Sequence, residues 1–443
     1  MTAGMWTYHP ELLATPVPRY TSYPTAAEFG ELGPGIFASS LAALPEDKPV
    51  SLYLHIPYCH EICWYCGCNT GAANRRGRLA NYVERLREEV VLVAAAIGRR
   101  TRVGRIAWGG GSPNALDPEQ FLSLAASVAT AFDTRGAVTS VEVDPRGFDS
   151  DWAEAMKACG VSRVSLGVQT FSPAIQAAIG RVQPEETIAG TVALLRGAGV
   201  DSINFDLMYG LPGQTIDDLE DSIARTIAFA ADRVAVFGYA HVPHLLPRQR
   251  RIDATHLPDA EQRFRSAEFA YRAFTSAGYA PVGFDHFARP GDAIAAAAEA
   301  GALRRNFQGF TEDSADVLIG LGASAISAFP GALLQNDKNA GRYGMRVDAG
   351  QLATARGIVR HRADQLRSAA IEQLLCRGSA DLSRLPDLGR VRRDLQPFER
   401  LALVEWEGGL LRMPPEALPY ARAIAATLDP YRVEGSGAFS NAV

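Results

Sequence analysis

No stretch of this 443-residue chain approaches the roughly 20 consecutive apolar residues of a membrane-spanning helix, so no membrane span is expected. An excess of positive charge is missing too. There are 44 Lys and Arg against 49 Asp and Glu, a formal net charge of −5, which speaks against a nucleic-acid binder. The first residues, MTAGMWTYHPELLATPVPRY, have neither a basic start nor an apolar segment, so no signal peptide is expected and the default compartment is the cytoplasm. Low-complexity runs are absent, and cysteine is scarce outside one cluster. Of six cysteines, Cys59, Cys63, Cys66 and Cys68 fall within ten residues. Disulfide scaffolds spread their cysteines to join distant loops, whereas crowded thiols in a reducing compartment point to metal. Cys159 and Cys376 lie in apolar helical contexts, EAMKACG and IEQLLC, and are expected to be small buried side chains.

What is present is a strand–helix alternation. Strands are expected at SLYLHI (51–56), VGRIAW (103–108), TSVEVD (139–144), SRVSLGV (162–168), SINFDLM (202–208) and RVAVFGY (233–239). In the first intervening helix Leu79, Tyr82, Val83, Leu86, Val90, Val93 and Ile97 form one apolar stripe. Asp117-Pro118-x-Gln120 and Thr215-x-x-Asp218 have the spacing of helix starts, and Gly160 and Gly199 follow helix ends. ACGVSRVSLGV and GAGVDSINFDL repeat the same helix-to-strand joint. Repeated units of this kind build a parallel sheet with right-handed crossovers. Six are too few for a closed eight-fold barrel, so the α/β fold expected is a partial (β/α)6 barrel. Chemistry then belongs at the C-terminal ends of the strands. There lie the cysteine loop, GGGSP, Glu142 and Asp144, Gln169 and Asp206. The expected division is an N-terminal segment over the active site (1–50), the barrel (51–243), an extension (244–345) and a mostly helical C-terminal domain (346–443). A strand-like pair in LVEWEGGLLRM (403–413) gives the last part a winged-helix flavour, but its mixed charges favour structural capping over DNA binding.

Cys59-x3-Cys63-x2-Cys66 offers three well-spaced thiolates. A 4Fe–4S cube takes one ligand per iron, so three leave one iron open. That iron can be chelated by the amino and carboxylate groups of S-adenosylmethionine, whose sulfonium bond one electron cleaves to a 5′-deoxyadenosyl radical. A structural zinc site would want two separated pairs of cysteines, and no second pair exists. A four-cysteine electron-transfer cluster would not need a barrel with a polar mouth.

YLHIPYCHEICWYCGCNT resembles the cluster loop of the radical S-adenosylmethionine superfamily, and the extra Cys68 resembles the variant in the oxygen-independent coproporphyrinogen III oxidase family. PRYTSYPT (18–25), VEVDPR (141–146), SLGVQTF (165–171), FDLMYGLPGQT (205–215), YAHVP (239–243), DHFARP (285–290), NFQGF (306–310) and GASAIS (322–327) extend that resemblance over nearly the whole chain. It implies one 4Fe–4S cluster on Cys59, Cys63 and Cys66, a required but non-ligating Cys68, and two molecules of S-adenosylmethionine. Tyr53 and Tyr65 would lie beside the first molecule. Gly109, Gly110, Gly111 and Ser112 would receive its methionyl end, Glu142 its ribose, and Ile326 would close over it. Gln169, Arg181, Asp206 and Ala240 would form the pocket of the second. Tyr53, Cys68 and Gln308 would serve catalysis.

The implied reaction removes two propionate carboxylates of coproporphyrinogen III as carbon dioxide, leaving the vinyl groups of protoporphyrinogen IX. The implied enzyme is a cytoplasmic monomer fed by a low-potential donor such as flavodoxin or ferredoxin. Arg19, Arg289, Arg304 and Arg305 are candidates for gripping the propionates, because guanidinium binds carboxylate bidentately. Some positions depart from the family's pattern. Its GGGTPT turn reads GGGSPN here, with Ser112 and Asn114, and Phe310 and Glu312 replace a tyrosine and a threonine. Glu312 is expected to bring negative charge toward an anionic substrate. Two rivals share the scaffold. One is a haem-directed radical methyltransferase that opens the ring; the other is a non-catalytic haem chaperone, which should lack PRYTSYPT and Cys68.

Overall fold

A computed structural model of the chain describes residues 5–74 and 76–432. Six strands run parallel and in chain order: Val50–Ile56 (β1), Val103–Gly110 (β2), Val138–Val143 (β3), Val161–Gln169 (β4), Ser202–Tyr209 (β5) and Arg233–Gly238 (β6). Each lies within two residues of its expected place. Leu52, Leu54 and Ile56 on β1 are buried, as are their counterparts on the neighbouring strands, because both faces of a parallel sheet are covered. Helices Arg76–Ile97 (α1), Pro118–Ala131 (α2), Ser150–Ala158 (α3), Glu185–Gly197 (α4) and Ile216–Ala228 (α5) make the crossovers. The whole predicted stripe of α1 is buried, and so is Glu89, a carboxylate on that face which periodicity alone passes over. Capping boxes form at Asp117 with Gln120 and at Thr215 with Asp218. Gly160 and Gly199 take φ of +62° and +87°, the left-handed turn that ends a helix at little cost for glycine.

The sheet is open, as a partial barrel must be, and residues beyond 243 widen it at both edges. After α6 (Ala260–Ser276), strands Ala280–Val282 and His286–Ala288 add antiparallel to β6. The chain then crosses to the other edge. Leu318–Leu321 pairs parallel with β1, and Ile326–Phe329, Ala332–Asn336 and Thr354–Val359 follow. The expected boundary at 345/346 falls inside the helix Ala340–Asp348, and the sheet continues past it to Val359. Beyond lie the helices Arg362–Arg377 and Leu388–Arg400 and a small sheet. The strand pair expected near 403–413 is there as Glu405–Glu407 and Leu410–Arg412, joined by a third strand, Ser379–Asp381. That third strand is three residues long, too short for an alternation signal. The N-terminal segment ties the parts together: Trp6 N–H donates to Glu268 (2.9 Å), and the Tyr20 hydroxyl donates to Asp429 (3.1 Å).

Candidate active site

The cysteine loop leaves β1 and is closed by a short parallel ladder of Tyr58–Cys59 with Gly71–Ala72. It is pinned from both sides. Trp64 N–H donates to the Ile179 carbonyl (3.0 Å), and the Gln249 amide donates to the carbonyls of Tyr65 (2.9 Å) and Ala240 (3.0 Å). Cys59, Cys63, Cys66 and Cys68 line one cavity of about 460 Å³ at the C-terminal ends of the strands. Cys68 N–H donates to Cys66 Sγ (3.3 Å), and hydrogen bonding between the two side chains pulls Cys66 toward thiolate while Cys68 is held as thiol. Two guanidiniums also reach Cys63 Sγ, Arg181 at 3.2 Å and Arg146 at 3.4 Å. Cys159 and Cys376 lie elsewhere, their thiols pushed up by burial to about 11 and about 12.

Arg181 joins three strand ends. It donates to the Gly167 carbonyl (2.7 Å), to Gln183 (3.0 Å) and to Asp144 (3.2 Å) as well as to Cys63. Asp144 also receives Arg146 at 2.7 Å. Burial disfavours its charge, but the two arginines outweigh that and hold its carboxyl below the usual range. Glu142 and Asp206 behave oppositely. Burial pushes Glu142 up to about 7 against a single compensating donor, Gly110 N–H (3.0 Å). Asp206 is also raised by burial, although Ser165 (2.9 Å) and Asn204 (2.8 Å) donate to it. Gln169 sits at φ +68°, left-handed for a non-glycine residue, where β4 breaks register and turns its side chain into the cavity wall. Backbone strain of this sort collects at working sites.

Tyr65, Gly110, Gly111, Ser112, Glu142, Gln169, Arg181, Asp206 and Ala240 all line the cavity. Four expected residues lie off it. Gly109 sits behind Glu142: a Cβ there would come within 2.6 Å of the carboxyl. Tyr53 is one step removed, its hydroxyl 3.0 Å from His55 Nδ1. Ile326 opens the strand beyond Leu318–Leu321, and Gln308 lines an adjoining inner cavity of about 310 Å³ that shares Glu142 and Asp206 with the first. His55, Arg146 and Gln249 were missed. His55 could have been found, since it follows Tyr53 by two and so shares its face of β1. Burial lowers its imidazole to about 4, leaving it a neutral link from Tyr53 to the Ser324 hydroxyl (3.2 Å).

Glu312 does not face the mouth. It closes the opposite end of the barrel, ion-paired with Arg105 and Arg163 and 3.5 Å from Arg233. The expectation that it approaches the substrate fails because Arg105, Arg163 and Arg233 stand at or near the starts of β2, β4 and β6, where three partly buried cations need an anion. Of the candidate substrate arginines, Arg19 lines the cysteine cavity. Arg305 packs over the Phe310 ring (4.4 Å), Arg304 is spent on Glu372 (2.8 Å), and Arg289 is exposed next to the strand edge far from the loop.

Among the described residues, no three His, Cys, Asp or Glu side chains converge as a single metal ion requires. A cubane instead takes each thiolate on a different iron. Three thiols on one pinned loop, two cations beside them and an open cavity in front suit that cluster and a polar ligand on its free corner.

Fold and site together define a radical S-adenosylmethionine enzyme. The model of the radical SAM superfamily matches residues 53–225, and membership implies a 4Fe–4S cluster and S-adenosylmethionine. The chain is 43% identical to the oxygen-independent coproporphyrinogen III oxidase of Bradyrhizobium diazoefficiens, over 96% of this chain and 97% of that one. It is 39% identical to the Paracoccus denitrificans enzyme of the same name, over 95% of each. The solved structure of coproporphyrinogen III oxidase from Escherichia coli superposes with a TM-score of 0.89 at 34% identity, covering 97% of this chain and 100% of that one. The chain belongs to the oxygen-independent coproporphyrinogen III oxidase family.

Proposed function

We propose that the chain converts coproporphyrinogen III to protoporphyrinogen IX by oxygen-independent oxidative decarboxylation of two propionates, in porphyrin and haem biosynthesis. The observation that carries this reading is full-length likeness to enzymes of that name. When bound, the cluster and S-adenosylmethionine supply a 5′-deoxyadenosyl radical that takes hydrogen from the β-carbon of a propionate. Cys59, Cys63 and Cys66 hold the cluster, and Cys68 stays a thiol beside it. Of two S-adenosylmethionine molecules, the first is held by Gly110, Gly111 and Ser112, by Glu142 at its ribose, and by Tyr65, with Gly109, Tyr53 and Ile326 positioning these from behind. Gln169, Arg181, Asp206 and Ala240 hold the second. Gln308 reaches the substrate from the inner cavity. The division into N-terminal segment, barrel, extension and C-terminal domain serves to roof the mouth. Among the described residues, no helix is long and apolar enough to cross a membrane. We take the enzyme to be a cytoplasmic monomer that binds no nucleic acid and is reduced by a flavodoxin or ferredoxin.

The test gives the reduced protein and S-adenosylmethionine coproporphyrinogen III in one tube and haem in another, without oxygen. Divinyl product and two carbon dioxide per tetrapyrrole in the first are expected. Product from haem alone would overturn the reading in favour of the ring-opening class, and no turnover in either in favour of a chaperone.

A further inference from the structure

One polar ring on the wall of the inner cavity, the imidazole of His286, takes no part in holding the cluster or S-adenosylmethionine. His286 opens the strand His286–Ala288, which pairs antiparallel with β6. Side chains alternate along a strand, so Phe287 packs outward on Tyr271 and Phe274 of α6 while His286 turns into the barrel. Two aromatic rings clamp it, Phe237 at 5.5 Å and Phe310 at 5.3 Å, both in edge-to-face contact. Its Nδ1 lies 2.6 Å from the Asp285 carboxyl. Burial works against charge on Asp285, but His286 and the guanidiniums of Arg305 and Arg19 outweigh it and hold the carboxyl below the usual range. A carboxylate can only accept, so Nδ1 carries the proton of that hydrogen bond, and in the neutral ring the lone pair is left on Nε2. Among the described residues Nε2 carries no hydrogen bond. It stands 3.5 Å from where a Cβ on Gly309 would be, next to Gln308 in the hairpin.

We propose that the inner cavity seats one pyrrole ring of the tetrapyrrole, its N–H donating to His286 Nε2. The inference rests on the proposed function. In a porphyrinogen the pyrroles are joined through saturated carbons, so one ring can turn out of the plane of the others. Each carries an N–H donor and no acceptor nitrogen. The cavity answers both properties: Trp108, Phe237 and Phe310 give it aromatic walls, and Nε2 is an acceptor facing the space between them. That space equals about ten water molecules at their liquid volume of ~30 Å³ each, room for a pyrrole with its propionate arm but not for the macrocycle. Glu142 and Asp206 border this cavity and the cysteine cavity alike, so the arm of a seated ring can extend toward the cysteines. Asp285 is then a positioning residue, which acts by fixing the tautomer of His286.

Cluster-loaded protein without S-adenosylmethionine is equilibrated anaerobically with coproporphyrinogen III, with its tetramethyl ester, and with the oxidised, planar coproporphyrin III. Bound tetrapyrrole is read by fluorescence once the porphyrinogens have been oxidised. His286→Leu should weaken coproporphyrinogen III and its ester alike, each about tenfold, as the loss of one hydrogen bond of ~1.4 kcal/mol requires. Coproporphyrin III should weaken less than twofold, with iron content unchanged. Asp285→Asn leaves the ring in place, but its amide can donate to Nδ1 and move the imidazole proton to Nε2, so both porphyrinogens should weaken by a similar factor. That variant decides where the leucine side chain prevents folding. Porphyrinogen affinity within twofold of the parent in every variant that retains iron would overturn the contact. A loss confined to the acid would overturn it too, since His286 would then be meeting a propionate. Vinyl product from a protein that fails either way leaves the enzymatic reading standing and removes the pyrrole contact alone. His286-dependent binding of both porphyrinogens with no vinyl product does the reverse.

Discussion

The two ends of the barrel are built from the same kinds of charged residue and treat them in opposite ways. At the floor, Arg105, Arg163 and Arg233 close on Glu312, and Arg233 on Asp292 at 2.7 Å, so each cation has an acid beside it. At the mouth, Glu142 and Asp206 are buried with too few donors, and both are raised. Only Asp144 finds paired arginines, and those same arginines touch Cys63. A floor that sets its charges in ion pairs adds rigidity. A mouth that leaves them unsatisfied stores interactions for a ligand, which is how a site is told from a structural ion cluster. Charge content alone would have ranked the two ends alike.

The largest effect expected belongs to the mouth. Replacing Cys59, Cys63 or Cys66 with Ser should remove the broad visible absorbance and most of the iron from the anaerobic protein, and bring product formation to background. Cys68→Ser should keep the iron and lose turnover. Full iron content in all three ligand variants would make the loop something other than a cluster site. Next comes the floor. Glu312→Gln removes the anion shared by three partly buried guanidiniums, of which Arg233 keeps Asp292, and breaking a buried pair costs about 3–5 kcal/mol. The denaturation midpoint should fall steeply while S-adenosylmethionine affinity in the folded protein stays put. A midpoint unchanged, or tighter substrate binding in Glu312→Thr, would return Glu312 to the substrate side.

How the two ends were legible in the sequence differs for a physical reason. The mouth residues follow strand ends, and strand ends are visible as the point where an apolar run meets Gly, Pro or Asp, as in VEVDPR and IAWGGGSP. The floor depends on Arg105, Arg163 and Arg233 pointing inward, and on a loop about 74 residues beyond β6 bringing Glu312 beneath them. No local pattern encodes that meeting. For the same reason all six strands and the capping boxes were readable. The third strand of the small C-terminal sheet, and the continuation of the large sheet to Val359, were not, because their partners are distant in sequence. His55 lies between these cases: its face of β1 was predictable, its link to Ser324 was not.

A middle-sized prediction turns on Glu142 in protein free of S-adenosylmethionine. Its carboxyl rises from 4.5 to about 7, so its favourable contribution is present at low pH and is lost as pH climbs through 7. A shift of that size at ~1.4 kcal/mol per unit is worth on the order of 3 kcal/mol. Glu142→Gln should therefore be more stable than the parent at pH 8 and no more stable at pH 5, by chemical denaturation. The same variant should bind S-adenosylmethionine several-fold more weakly. Equal stability differences at both pH values would mean that the carboxylate is solvated after all.

The smallest effect expected tests a departure from the family's pattern at the mouth. Asn114 and Ser112 are buried and hydrogen-bonded to each other. Asp144 N–H donates to Asn114 Oδ1 (3.0 Å) and to Ser112 Oγ (3.2 Å), and Asn114 Nδ2 donates back to the Asp144 carbonyl (2.8 Å). The pair thus fastens the turn after β2 to the end of β3, setting the height of Asp144 between Arg146 and Arg181. The Asn114→Thr change restores the family's residue: its hydroxyl can accept from the Asp144 N–H, while the donor to the carbonyl is lost. One neutral hydrogen bond is worth ~1 kcal/mol net, and turnover should change less than threefold. Asn114→Leu removes both partners, and should cost about twice as much stability and lower turnover further as Asp144 loosens. If the leucine variant matched the threonine variant in both measurements, the Ser112–Asn114 pair would be filling space, with Asp144 held in place by its arginines alone.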